Sequence, residues 1–209
     1  MKTAIVVTSL LAAGTLAARS TQPRGYSIPV VDITSETSRQ VVVDREPGQY
    51  LGHPTTVFLE DGRTMIAVYP KGHGRGAIVM KRSTDGGRTW SDRLPVPDNW
   101  ATSQETPTVH RVIDPNGVRR LILFSGLYPI RMAVSEDDGV TWTPLKPIGD
   151  YGGIVAMGSV VRLRTGPGHY LALFHDDGRF FRNAGKSAPE MTLYQIRSTD
   201  GGLTGSEPE

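Results

Sequence analysis

Ser83-Thr84-Asp85-Gly86-Gly87-Arg88-Thr89-Trp90 decides the fold, because its grammar returns at Ser135-Glu136-Asp137-Asp138-Gly139-Val140-Thr141-Trp142 and again at Ser198-Thr199-Asp200-Gly201-Gly202-Leu203-Thr204. The third copy ends on Gly205 where the others have Trp. The shared pattern is Ser-x-Asp-x-Gly-x-Thr-Trp, and each fixed position has a mechanical task in a tight hairpin. Ser and Asp side chains accept hydrogen bonds from nearby backbone N–H groups and staple the turn to itself. Gly takes positive φ without steric cost. Trp presents a broad ring to the neighbouring strand and has an N–H to place. One Asp-Gly-Gly alone is an ordinary hairpin turn; two complete copies and a broken one make a repeat.

The pattern resembles the Asp-box, or BNR repeat, of the sialidase (neuraminidase) superfamily, and the match runs over residues 41 to 205. The resemblance implies an all-β chain folded as a six-bladed β-propeller. Counted from their serines, the copies stand 52 and 63 residues apart, a spacing that suits one four-stranded blade with its loops per repeat. Three blades amount to about half of such a ring. The sequence ends just beyond the third hairpin, where an outer strand is expected to begin. A truncated product or partial sequence, poorly soluble alone, is therefore expected, since stacked repeats need neighbours to cover their apolar faces.

Strands fall between turn residues throughout residues 40–209. Gln40-Val41-Val42-Val43-Asp44-Arg45 is a β-branched run, expected to be a strand that closes the ring. The first repeat reads as strands over 54–60, 64–69 and 77–82, the second over 107–114, 121–126 and 130–134, and the third over 158–164, 170–175 and 191–197. Thr64-Met65-Ile66-Ala67-Val68 is apolar at both parities, which suits a strand covered on both sides. No helix is expected after the N-terminal segment.

Strand order sorts the loops by end. With four antiparallel strands per blade, the hairpins share one end with the Asp61-Gly62 and Pro115-Asn116-Gly117 turns. The opposite end gathers His53, the Lys71–Arg75 loop with His73 and Arg75, Glu105, Arg131, and His175-Asp176-Asp177-Gly178-Arg179. A concave site forms there near the axis. Its mixed charges, Gly and Tyr suit a polar sugar with an acidic group, which Arg grips through two parallel hydrogen bonds.

Glycoside hydrolysis commonly needs one carboxyl group to protonate the leaving oxygen and another to attack or activate water. Glu105, Asp176 and Asp177 are the carboxyl groups at the right end, with burial or a like charge expected to raise the pKa of the acid. Each also has a plain structural reading: a solvated loop carboxylate for Glu105, a turn for Asp176-Asp177-Gly178. His53 and His175 are candidates for substrate contact or proton transfer, or are structural. His73 and Arg75 are substrate contacts or an exposed loop. Arg131 and Arg179 either bind a carboxylate or pair with Glu105 and Asp177.

Sialidases are similar to one another in a Phe/Tyr-Arg-Ile-Pro motif, an Asp acid/base in the following loop, an arginine triad, and a Tyr nucleophile partnered by Glu. Here Leu51-Gly52-His53-Pro54 keeps the Pro and lacks the Arg, and the Lys71–Gly76 loop contains no Asp. None of those catalytic residues carries over onto a position of this chain.

The chain has 209 residues, 23 Lys and Arg against 21 Asp and Glu, and no Cys. So even a balance offers no field for nucleic acid or an anionic membrane. Absence of Cys removes disulfides and thiolate ligands. Isolated His residues show no metal spacing, and Gly72, Gly74 and Gly76 lie between strands rather than ahead of a helix, so neither a metal nor another cofactor is expected. Lys2 precedes an uncharged run from Thr3 to Ala18 ending Leu16-Ala17-Ala18, the layout of a signal peptide over residues 1–18, followed by a linker over 19–39 and the partial propeller over 40–209. The whole reads as a secreted or periplasmic, exo-acting glycoside hydrolase of sialidase type. A non-catalytic glycan-binding propeller and an interaction propeller are the alternatives.

Overall fold

The computed structural model describes residues 28–182 and 185–209. The expected signal peptide lies outside the described residues, as does the first part of the expected linker. The chain divides into two compact units, Met1–Thr37 and Ser38–Glu209. In the first, Asp32 Oδ1 accepts both the N–H and the hydroxyl of Thr34, at 2.8 and 2.6 Å, a closed Asx turn.

The second unit is all-β: ten strands in three antiparallel sheets and no α-helix among the described residues. The first sheet is β1 (Thr55–Phe58), β2 (Met65–Pro70) and β3 (Ile78–Ser83). The second is β4 (Thr108–Ile113), β5 (Arg119–Ser125), β6 (Arg131–Ser135) and the two-residue β7 (Lys146–Pro147). The third is β8 (Ile154–Arg162), β9 (Tyr170–Asp176) and β10 (Thr192–Ser198). Nine of the ten overlap the expected strands, because Asp-Gly, Asn-Gly and Pro-Gly turns punctuate the chain where its apolar runs stop.

Alternation along the strands places each sheet between its neighbours. Leu121 and Leu123 of β5 join Ile66, Val68 and Met80 in one core between the first and second sheets. Ile122 and Phe124 of the same strand turn the other way, to meet Tyr170, Phe174 and Ile196 in a second core. A strand apolar at both parities is what radial stacking of sheets requires. The first strands meet at the inner edge: Thr55 Oγ1 donates to the Pro107 carbonyl at 3.1 Å and accepts Val109 N–H, and Thr108 Oγ1 donates to the Ala156 carbonyl at 3.1 Å. These are three blades of an incomplete β-propeller.

The three motif copies are built alike. Ser83, Ser135 and Ser198 each accept the N–H of the glycine four residues on, at 2.8, 2.8 and 2.9 Å, and donate to the Asp two residues on. That Asp in turn accepts the N–H and hydroxyl of Thr89, Thr141 or Thr204. Two successive residues take positive φ in every copy, and in the second one of them is Asp138, at 57°. Gly86 N–H donates to Arg63 O, and Gly201 N–H to Gly168 O, so the hairpins stand beside the first turn of their own sheets.

The expected closing strand over residues 40–45 is not a strand. Val41 and Val42 remain 47% and 63% exposed, and the segment is held through Val43 and Asp44. Lys81 Nζ donates to the Val43 carbonyl at 2.8 Å, and Asp44 accepts Tyr69 Oη and Arg93 Nε at 2.6 and 2.7 Å. Side chains of the first sheet pin this run where a backbone ladder was expected. At the other end, Ser206 and Glu209 bond back to Arg197 and Gln195, so residues 206–209 run back alongside β10.

Candidate functional site

Register fixes which end each candidate occupies. In the third sheet Ser198, where the hairpin begins, pairs with Tyr170, while His175 pairs with Leu193 and Ile154 at the far end of β9. The carboxylates, histidines and arginines named from sequence thus stand away from the hairpins. Glu105 enters the second sheet from the same end, just ahead of β4.

Glu105 is the best-placed carboxylate. Its Oε1 accepts the Thr106 N–H at 2.7 Å, and among the described residues Oε2 has no hydrogen-bond partner. Glycines let backbone crowd around it. A Cβ on Gly74 would stand 2.7 Å from Glu105 Oε1, and one on Gly126 would stand 3.3 Å from Glu105 Cβ and 2.8 Å from the Gly153 carbonyl. Gly153 in turn lies against the His175 carbonyl, 3.1 Å from its virtual Cβ. The 71–76 loop, Glu105, Gly126, Gly153 and the end of β9 are thus packed against one another in series. Ser103 fixes the approach of Glu105 by donating to its carbonyl and lying 2.9 Å from Ser125 Oγ. Strand order places Ser103, and Gly153 within residues 151–157, at this end without giving either a role; for Gly126 a lone Gly closing a strand is the signal the sequence offers.

The histidines divide. His53 Nε2 lies 3.2 Å from His73 Nδ1 with the rings edge to face, and the Tyr50 ring is 5.7 Å from that of His73. His53 has φ of 48°, so the backbone is turned sharply at this mouth. His175 has no side-chain hydrogen bond among the described residues and is half-buried.

Asp176 and Asp177 are adjacent in sequence and differently used. Asp176 is fully buried, and its Oδ2 accepts the N–H groups of Gly178, Phe180 and Phe181 at 2.6, 3.1 and 3.0 Å. That carboxylate builds the loop after β9, although Oδ1 has no partner among the described residues. Both oxygens of Asp177 accept Arg179 Nε, at 2.9 and 2.8 Å. The Arg179 bond, outweighing burial, holds the Asp177 carboxyl below the usual carboxylate range, a direction opposite to that expected of an acid catalyst.

The arginines also separate. Arg131 donates from Nη1 to Thr102 Oγ1 and from Nη2 to the Thr102 carbonyl, both at 2.8 Å, which ties β6 to the 98–102 turn; burial lowers its pKa. Arg179 pairs with Asp177. Arg75 is exposed and its guanidinium has no partner among the described residues. Among the described residues no three His, Asp or Glu side chains converge as metal ligands, and no helix is long and apolar enough to cross a membrane.

No protein-family model matches the chain, and no curated protein matches it in sequence. Solved structures do match in fold. The GH93 α-L-arabinofuranosidase of Fusarium graminearum, in complex with arabinobiose, superposes with a TM-score of 0.55 at 15% identity, over 80% of this chain and 51% of the enzyme. A second structure of an α-L-arabinofuranosidase from that organism, with an iminosugar inhibitor, gives 0.52 at 15% identity over 79% and 49%. A protein of unknown function from Dyadobacter fermentans gives 0.53 at 17% identity over 80% and 52%. The chain spans about half the length of the structures it matches.

Proposed function

We propose that this chain forms part of a secreted, exo-acting glycoside hydrolase, with Glu105 as general acid and the Arg179-paired Asp177 as the ionised partner. The observation that carries the reading is Glu105 itself: a half-buried carboxyl group with one oxygen unpartnered among the described residues, at the end away from the hairpins, hemmed by glycine backbone. An acid must be protonated to act and a nucleophile or base ionised. Arg179 supports the second role for Asp177. Glycosidases with the same fold add weight, although fold alone does not carry activity.

A substrate with an acidic sugar, as in a sialidase-type enzyme, is the narrower form of this proposal. It rests on Arg75, the one of the three candidate arginines whose guanidinium has no partner among the described residues. The test is turnover of aryl α-L-arabinofuranosides and aryl sialosides by the secreted full-length protein. Glu105→Gln and Asp177→Asn are each expected to lower kcat by about 100-fold or more. Saturable glycan binding with no turnover in the wild type would favour the glycan-binding alternative, and full rates in both variants would remove these two residues.

A further inference from the structure

A cavity of 460 Å³ lies between the second and third sheets, with Ile122, Phe124 and Met132 on one wall, Ala172 and Ile196 on the other, and Gly205 among its lining residues. The internal repeat says what is missing from it. Ser135 pairs with Leu121 and Ser198 with Tyr170, so Leu123 and Ala133 of the second sheet correspond to Ala172 and Ile196 of the third. In the second sheet Leu pairs across from Ala; in the third, Ala pairs across from Ile. Those two exchanges roughly cancel in volume. Trp142 against Gly205 does not cancel, and the difference is one indole ring.

Trp142 shows how that ring is housed. It stands edge-on to Trp100, with centroids 5.4 Å apart at 66°, and packs with Leu94 and Val96 against the core between the first two sheets. The corresponding gap there is lined by rim residues such as Trp90, Leu94 and Pro95 and touches no residue of β2 or β5. The gap beside Gly205 runs through to Ile122 and Phe124 of β5 and to Tyr170 and Ala172 of β9. Nor does the chain admit the ring by simple replacement, since a Cβ on Gly205 would lie 2.4 Å from Ile196 Cγ2.

We propose that this cavity binds a planar aromatic small molecule of indole size, which takes the place of the absent Trp side chain. Apolar voids of roughly 150 Å³ already take up benzene, and ligand sites commonly span about 300–1,000 Å³. The Met132 thioether and the Phe124 ring give the walls aromatic-compatible contacts, and Lys146 stands among the lining residues for a polar substituent. The site does not depend on the glycosidase reading, because it lies between sheets and uses none of the candidate catalytic residues.

Calorimetric titration of the full-length chain with indole tests this. Saturable binding at one site per chain is expected. The double substitution Ile196→Ala/Gly205→Trp recreates the Ala133 and Trp142 combination within the third sheet and is expected to weaken binding at least tenfold while near-ultraviolet circular dichroism shows it folded. Where that variant fails to fold, Ala172→Trp fills the same space from β9 and serves in its place. Absence of saturable binding by the wild type overturns the proposal, as would happen if an aromatic side chain from another segment already filled the space. Unchanged affinity in the folded filled variant overturns it equally.

Discussion

Tyr69 Oη donates to Asp44 Oδ2 at 2.6 Å, and the same oxygen accepts Arg93 Nε at 2.7 Å. This pair anchors the segment ahead of β1 to the sheet. Burial works against ionisation of Asp44, but the Tyr69 and Arg93 bonds, with Lys81 nearby, outweigh it and hold the carboxyl at about 2. The folded value is below the unfolded one of about 3.9, so the stabilisation is present above pH 4 and is lost as pH falls from there through 2. Melting temperature measured from pH 6 to pH 2 is therefore expected to drop more steeply in the wild type than in Asp44→Asn. Parallel curves would contradict this role.

Ser135 is 1% exposed, and its hydroxyl accepts Gly139 N–H inside the hairpin while donating to Asp137. Ser135→Ala leaves that buried N–H without a partner, at a cost of about 1–3 kcal/mol. Thr84→Ala, at an exposed position whose hydroxyl has no hydrogen-bond partner among the described residues, is expected to change stability by no more than about 0.5 kcal/mol. Urea unfolding of the two variants makes the comparison; equal midpoints would mean that the staple contributes nothing.

Gly86 and Gly139 both have positive φ, 72° and 79°, yet only one has neighbours. Nothing lies within 4 Å of a Cβ on Gly86, whereas one on Gly139 would meet Ile66 Cδ1 at 2.5 Å and Leu121 Cδ1 at 3.3 Å. Gly86→Ala therefore bears the left-handed backbone cost alone, about 1–2 kcal/mol. Gly139→Ala adds overpacking of about 1–3 kcal/mol, because Ile66 is fully buried and belongs to the preceding sheet. Equal losses by chemical denaturation would show that the second hairpin does not pack onto the first sheet.

Removing Arg179 should move the acid limb of any pH–rate profile. With Arg179 present, Asp177 titrates below the ordinary carboxylate range, so an activity that needs it ionised is retained to low pH. Arg179→Ala takes away the depressing partner, and the limb shifts to higher pH. An unmoved limb would assign it to another group.

Most of the strand layout was legible because turn residues bound it. Asp61-Gly62 and Asn116-Gly117 mark where β1 and β4 must reverse, and apolar residues at both parities in β2 signalled cover on both faces. Val41-Val42-Val43 misled for a physical reason: β-branched residues favour extended backbone, but a ladder also needs an edge to pair with, and here Asp44 and Lys81 supply the attachment. β8 begins at Ile154, ahead of the expected Gly158, because Val155 and Met157 take positive φ around a register shift. No apolar pattern announces such a bulge.

Site residues were legible by end of the sheet and not by contact. Strand order sends Glu105, His175 and Asp177 to one mouth, but nothing local tells that Arg131 reaches back to Thr102. Asp176 is the local case: its three backbone donors lie two to five residues on, in the turn that Asp177-Gly178 marks. Side-chain partners distant in sequence depend on how sheets stack.

The most direct test of the account is a crystal of the full-length protein soaked with an iminosugar glycosidase inhibitor. The arrangement predicts the inhibitor in hydrogen-bond contact with Glu105, beside the 71–76 loop and the end of β9. A bound inhibitor at the hairpin end, next to Thr89 or Thr141, or full occupancy at a place where Glu105 does not touch it, would contradict the account.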